Sequence, residues 1–430
     1  MISDIKEVFD KINRDRFVIG LDINDSFAQI SVVKIDSDNP ATLSTKEDSE
    51  EFNIPMKMLK YRNKSGWDFG NAALEHEEEG FLVSDFFEKA TEGKTVRIDR
   101  EEYLAKDIFL LFVKKVLLLF PVLMTPDKIS SITIALKDAN PKVIEMMEEL
   151  PSQINVNPDV LHFITYEESF FYYMLYQNAE LQNHNVLLFD SSGEKLRSYS
   201  MMRNFFKNPG IATVDVNEYV NFDTKLQGDY DKTEKDNKLL LISKELTGNT
   251  VYSGVYLIGN LFYSDWADNS LQFLCKGRRV FKGNNLFSKG ACLAGREKVN
   301  PSGRENKIKY LGKDRVRVSI GVETDDNPHK MIPLIEAGSQ WFETGKKTEL
   351  ILKETDKIQL YFTYVYKNST SKAELTLPGL NTTPGHITRV SMEVKMLSEN
   401  KVHFKVWDMG FGDIFPSSGK DFEQDLQLEG

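Results

Sequence analysis

At 430 residues and 41% hydrophobic, the chain is too long for one ordinary core and apolar enough to bury two or three, so at least two domains are expected. Its 54 basic side chains against 65 acidic ones leave a net charge of −11, with no clustered basic footprint for nucleic acid or an anionic membrane. The two cysteines, Cys275 and Cys292, sit in no CxxC or metal-ligand spacing, which predicts reduced, buried and inert thiols.

The N-terminal MISDIKEVFDKINRDR carries charges where a signal peptide needs an unbroken apolar run, and with no disulfide framework this gives a cytoplasmic expectation. Between Phe17 and Ile35 two apolar runs, FVIGLDI and AQISVVKI, flank the polar turn Asn24-Asp25-Ser26, a hairpin signal. The acidic stretch Asp36 to Glu51 reads as a solvated loop, and IPMKMLKY (54–61) as a third strand. Helical periodicity predicts helices over Asn71 to Lys89 and Arg100 to Phe120. The apolar run Ile108 to Met124 is cut by Lys114 and Lys115 and ended by Pro121, so it reads as a core helix and not a membrane span. Strands at 129–136 and 161–165, a helix opened by Pro141 and another over Glu167 to Glu180 complete the first half.

At Val186 the pattern restarts. VLLFDSSGEKLRSYSM gives a strand ending at Asp190, a tight turn through Ser191, Ser192 and Gly193, and a return strand. A run near Ile211, a helix over Lys235 to Thr247, a strand ending at Gly259 and a helix from about Trp266 to Lys276 follow. Two lobes that each open with a strand, an Asp and a polar turn imply a cleft between them, with Asp22 and Asp190 at strand carboxyl ends where such sheets bind ligands. EKVNPSGRENK marks a linker. Beyond it, the alternating runs VRVSIGV, KIQLYFTYVY, RVSMEVKML and KVHFKVWD predict an antiparallel β-sandwich, and the acidic last eighteen residues a mostly disordered tail.

These segments, in this order, resemble the 70-kDa heat-shock chaperone family of the actin-like ATPase superfamily. VIGLDINDSFAQISVV resembles its first phosphate loop, DSSGEKLR its second, and YEESFFYY its Glu-Pro-Thr-Ala-Ala helix start, with Glu167 at the glutamate and Ser169 at the threonine. GVYLIGNLF resembles the adenosine turn, keeping Gly259 beside Asn260, and SKGACLAG the helix after it. VSIGVET, MIPLIEAGS and TRVSMEVKMLSENKVHFKVWDMGFG resemble the substrate-binding sandwich. The resemblance implies an α/β two-lobed actin-like ATPase fold followed by a sandwich like a chaperone substrate-binding domain. It divides the chain into a first lobe (1–185), a shortened second lobe (186–299), a linker (300–314), the sandwich (315–412) and the acidic tail (413–430).

It also implies a site. Asp22 and Asp190 would hold magnesium; Asp22, Asn24, Asp25, Ser26, Ser191, Ser192, Gly193, Gly259 and Asn260 would face ATP or ADP; Asp190 and Glu167 are the catalytic candidates. Val322, Phe362 and Tyr364 would line a peptide groove for a protein or peptide client. Beside each stands a plainer reading: turn-capping carboxylates, a helix N-terminal glutamate, a strand-end glycine, core aromatics. Departures from the family are as telling. Asn24 replaces a glycine, Glu194 another, Lys195 a threonine and Arg197 an aspartate, although glycines let backbone N–H groups reach phosphates and carboxylates hold magnesium. The span from Asp190 to Gly259 is about half that of the family, and no helical lid follows the sandwich. The expectation is therefore a chaperone-like interaction module without efficient ATP hydrolysis, a pseudo-ATPase with or without bound nucleotide. A slow magnesium-dependent ATPase or nucleotide switch controlling client binding is the alternative. No nucleic-acid or membrane partner is expected.

Overall fold

The structure is a computed structural model that describes residues 16–44, 51–120, 125–182, 184–206, 209–313, 315–324, 327–364 and 369–428. The residues read for a signal peptide lie outside it, except Arg16. The chain forms two compact units of mixed α/β and all-β character, dividing after Tyr310.

In the first unit β1 (Phe17–Ile23) and β2 (Phe27–Lys34) form the expected hairpin, joined by β3 (Ala41–Thr42) and β4 (Ile54–Pro55) on β2. The hairpin turns because Asn24 Oδ1 accepts the amides of Ser26 (2.9 Å) and Phe27 (3.0 Å), an Asx turn that suits a short polar connection. β5 (Met58–Tyr61), β6 (Trp67–Phe69) and β7 (Gly80–Val83) make a separate small sheet, and β8 (Thr95–Ile98) pairs with β9 (Glu101–Leu104). β10 (Ile129–Leu136) and β11 (Leu161–Thr165) return to the first sheet, giving the order β11-β10-β1-β2-β3 with β1, β10 and β11 parallel.

The second lobe repeats that plan. β12 (Asn185–Asp190) and β13 (Lys195–Asn204) form a hairpin extended by β14 (Gly210–Asp223), while β15 (Tyr252–Ile258) and β16 (Arg279–Gly283) add in parallel on the other side of β12. β17 (Ile308–Tyr310) closes the order β16-β15-β12-β13-β14-β17. Part of the expected linker is thus a sheet strand, because Gly210 to Ala212 offer Ile308 to Tyr310 an unpaired edge.

Two helices tie the lobes together by exchange. Tyr166–Leu175 is capped by Thr165, whose hydroxyl accepts the Glu168 amide at 3.3 Å, with Glu167 and Glu168 in its first turn where the helix dipole favours them. It packs Phe170, Phe171 and Met174 into a core with Val186, Leu188, Tyr199 and Met201 of the second lobe. Conversely, helix Leu286–Val299 packs on β1, β2 and β10 of the first lobe. The approach is so close that a Cβ on Gly20 would lie 2.2 Å from Ser288 O and one on Gly290 2.1 Å from Ser169 O.

Several sequence expectations differ from the fold. The helix read over Asn71 to Lys89 is two short helices, Gly70–Glu75 and Phe86–Thr91, separated by β7, and the next helix, Ala105–Leu118, starts after the β8–β9 hairpin. Helix Asp229–Thr247 begins earlier than predicted, since its first turns are charged and exposed and carry no apolar signal. Cys292 is buried as expected, but Cys275 is exposed.

The second unit consists of two four-stranded antiparallel sheets. β18 (Val318–Thr324), β19 (Asn327–Ile335), β21 (Lys357–Tyr364) and β22 (Ser369–Thr376) pair in the order β19-β18-β21-β22. β20 (Lys346–Lys353), β23 (Ile387–Ser398), β24 (Lys401–Gly410) and β25 (Asp421–Gln427) pair in the order β20-β23-β24-β25. Along β23 and β24 every second residue, from Val390 to Met396 and from Val402 to Val406, is buried, as a half-buried sheet requires. Within the expected disordered tail, Asp421–Gln427 is instead an ordered edge strand, β25. Phe422 and Leu426 turn inward, while Glu423 bonds Lys405 (2.5 Å) and Asp425 bonds Lys401 (2.7 Å) and His403 (2.7 Å), so these two acids are paired across the ladder. Val322, Phe362 and Tyr364, which the resemblance would place along a peptide groove, are 6, 4 and 7% exposed on the inward-facing alternation of β18 and β21, the core placement of the plainer reading.

Candidate functional site

β1 and β12 occupy matching places in the two sheets, and each delivers a carboxylate at its carboxyl end, Asp22 beside Ala135 and Asp190 beside Ile258. The turn that follows each strand faces the other across a cavity of about 250 Å³ within the first unit. Asp22, Asn24, Asp25 and Ser26 line it from one lobe, and Asp190, Ser192, Gly193, Glu194, Lys195 and Arg197 from the other. Most of the residues singled out in the sequence are therefore brought together. Glu167, Ser191, Gly259 and Asn260 do not line the cavity. Ser191 turns inward, its amide and hydroxyl both donating to Ile258 O at 2.9 and 3.0 Å. Gly259, at φ 95°, would place a Cβ 2.5 Å from Ser191 Oγ and Ser192 N, so the neighbouring turn alone requires glycine there. Glu167 stands near Tyr199, where its charge helps hold the phenol protonated.

Sequence reasoning missed Phe27, Lys137, Tyr166, Glu218 and Phe287, which complete the lining. Lys137 directly follows β10, a strand-end position like that of the two aspartates, and Glu218 is the register partner of Arg197 on β14; both placements need the sheet order, which the sequence does not print. Tyr166 begins the helix that the sequence did identify, one residue before Glu167. Its phenol donates to Asp22 Oδ1 and accepts from Asn24 Nδ2 at 3.2 Å, and its ring stacks on Phe287 at 3.9 Å. Such a stacked pair contributes about 0.5–1.5 kcal/mol beyond its buried area.

The electrostatics follow from this burial. Asp22 is 3% exposed; loss of water pushes its carboxyl up to about 8, the Tyr166 bond pulls it down, and the charge of Asp190 adds to the rise. Asp190 is likewise raised by burial, against the opposing bonds from Ser192, whose amide reaches its Oδ1 at 2.8 Å. At neutral pH the cavity thus presents a carboxyl at Asp22 that is largely protonated. Arg197 is committed to Glu218, with Nε to Oε2 at 2.7 Å, whereas Lys137 and Lys195 line the cavity with no ion pair among the described residues. The backbone is partly committed as well: the Ser26 and Phe27 amides go to Asn24, and Thr224 clamps the second turn through Gly193 O (2.6 Å) and Glu194 O (3.2 Å). Among the described residues no group of three or more His, Cys, Asp or Glu side chains could hold a metal ion.

The fold and cavity define a two-lobed α/β protein with an interlobe carboxylate cleft, followed by an all-β unit. Residues 39–313, well over half of the chain, match the C-terminal part of a family of unknown function, DUF5716, and the chain belongs to that family. Residues 315–428 match a domain of unknown function, DUF8552, so the two matches meet close to where the chain divides into its two units. No curated protein matches the chain. Among the described residues no helix is long and apolar enough to cross a membrane.

Proposed function

We propose that this chain is an actin-like relative of the 70-kDa heat-shock chaperones whose interlobe cleft no longer turns over ATP, and that it works in the cytoplasm as a protein-interaction module through its β-sandwich. The observation that carries the reading is the state of Asp22: its carboxyl is buried, raised to about 8 and bonded to Tyr166. A hydrated magnesium ion needs ionised hard-oxygen ligands, and Lys137 and Lys195 on the same cavity oppose a cation further. Magnesium does not fit this donor set. The cavity volume of about 250 Å³ also falls below the range of about 300–1,000 Å³ usual for small-ligand pockets. The repeated sheet order of the lobes and the exchanged helices support the actin-like assignment.

For the interaction surface, Met409, Phe411 and Ile414 at the end of β24 and beyond are 45, 44 and 83% exposed, and they replace the buried Val322, Phe362 and Tyr364 as the apolar contact offered to a client. Two assays test the proposal together. Purified full-length protein should release no phosphate from ATP and magnesium above the level of the Asp190→Ala variant, and it should suppress light scattering by a chemically unfolded protein in a way that Phe411→Ser/Ile414→Ser weakens. Magnesium-dependent phosphate release lost in Asp190→Ala would favour the slow ATPase instead, a reading that rests on both aspartates and both polar turns facing one cavity.

A further inference from the structure

A second cavity, of about 310 Å³, lies elsewhere in the first unit, where the end of β13 meets the start of β17 and the helix Tyr166–Leu175. Its chemistry is the opposite of the cleft's. Phe171, Leu175 and Ile308 give it an apolar floor continuous with the core, Phe205 forms a wall that is 54% exposed, and among the described residues no Asp or Glu lines it. Three cations do: Arg203, Arg304 and Lys307.

Arg304 is already neutralised, its Nη2 lying 2.8 Å from Asp38 Oδ2 and its guanidinium stacking over Tyr176 at 4.2 Å. Arg203 is not. It donates Nη1 to Leu181 O (2.9 Å) and His184 O (3.1 Å) and Nη2 to Met201 Sδ (3.5 Å), all uncharged, and has no carboxylate partner among the described residues. Burial lowers it to about 10, so it stays charged at neutral pH. Lys307 likewise has no ion pair among the described residues. A partly desolvated cation is costly unless an anion meets it, and here the place where an anion could meet it opens onto an apolar chamber.

We propose that this cavity binds a medium-chain aliphatic carboxylate, with its acid group at Arg203 and Lys307 and its chain along Phe171, Leu175 and Ile308. The volume sits at the lower end of ligand pockets, about 300–1,000 Å³. The site is independent of the nucleotide reading of the interlobe cleft.

The test is calorimetric titration of the full-length chain with decanoate, with decanol as the neutral control. Decanoate should bind saturably at one site and decanol much more weakly. Lys307→Met and Arg203→Met should each weaken decanoate about 10- to 100-fold, the range for a lost charge-assisted hydrogen bond. Because Arg203 also holds the Leu181 and His184 carbonyls, Phe205→Glu on the exposed wall serves as the variant that leaves the fold untouched, and it should weaken decanoate by a similar factor through charge repulsion. Absence of saturable decanoate binding, equal binding of decanol, or unchanged affinity in both Lys307→Met and Phe205→Glu would overturn the proposal.

Discussion

Asp22 should make the protein's stability fall as pH rises across the neutral range, and Asp22→Asn should abolish that part of the dependence. Its carboxyl rises from an ordinary 3.8 to about 8 in the folded chain, first through burial and then through the charge of Asp190, with Tyr166 opposing. Between those two values the folded state holds a proton that the unfolded state has released. Stability therefore decreases with pH there, the contribution being fully present below pH 3.8 and lost by the time pH passes 8. Integrated from pH 5 to pH 8, the loss is roughly 3 kcal/mol. Asparagine keeps an oxygen to accept the Tyr166 phenol and carries no charge at any pH, so it mimics the protonated carboxyl. Urea unfolding of both proteins at pH 5, 6, 7 and 8, with the other titrating groups common to the pair, should give a stability advantage for Asp22→Asn that grows by roughly 3 kcal/mol over the series. Parallel pH profiles would show that Asp22 is ionised in the folded protein. That would remove the main argument against magnesium in the cleft.

Other consequences can be measured on the same material. Gly290→Ala sets a methyl 2.1 Å from Ser169 O, a backbone atom that cannot swing aside, and should destabilise the first unit by about 1–3 kcal/mol or more in urea unfolding. Asp408 is buried and so pushed up, but bonds from Ser418, Thr388 and Gly410 outweigh that and hold it at about 2. Asp408→Ala should therefore cost the second unit about 2 kcal/mol at pH 7, and the wild type should lose part of this advantage as pH falls from 3.8 toward 2. With Cys275 exposed, and Cys292 buried, raised in pKa by that burial and donating its thiol to Val18 O at 3.3 Å, a thiol reagent should modify one cysteine in the folded protein and the second only in denaturant. Two fast-reacting thiols would contradict the packing of helix Leu286–Val299 on β1.

The parts of the fold that were legible in the sequence are those where burial writes a long, regular pattern. β1, β2 and β12 are continuous apolar runs buried on both faces, β23 and β24 alternate as half-buried strands do, and the two strand-end aspartates could be located from the runs and the polar turns after them. Residues 70–104 were not legible because six short elements follow one another with too few residues each to set a period, and Gly80 in the middle is dictated by a backbone approach, a Cβ there falling 2.4 Å from Lys60 O. β25 was hidden by composition, since only Phe422 and Leu426 carry its pattern and its acids make sense only against Lys401, His403 and Lys405 on the next strand. At the site, each lobe's own contribution could be read locally. Tyr166, Lys137 and Glu218 could not, because what places them is the meeting of strands and helices far apart in sequence.

The exchange of helices between the lobes bears on how the first unit can fail. Because Phe170 and Met174 belong to the second lobe's core while Cys292 lies with Val18 and Val33 in the first, neither repeat owns a complete interior. A chain cut between the repeats would leave each half with an uncovered apolar sheet face, so the two halves should melt as one event and recover only in each other's presence. The duplication visible in the strand order is thus a repeat of pattern without a repeat of independence.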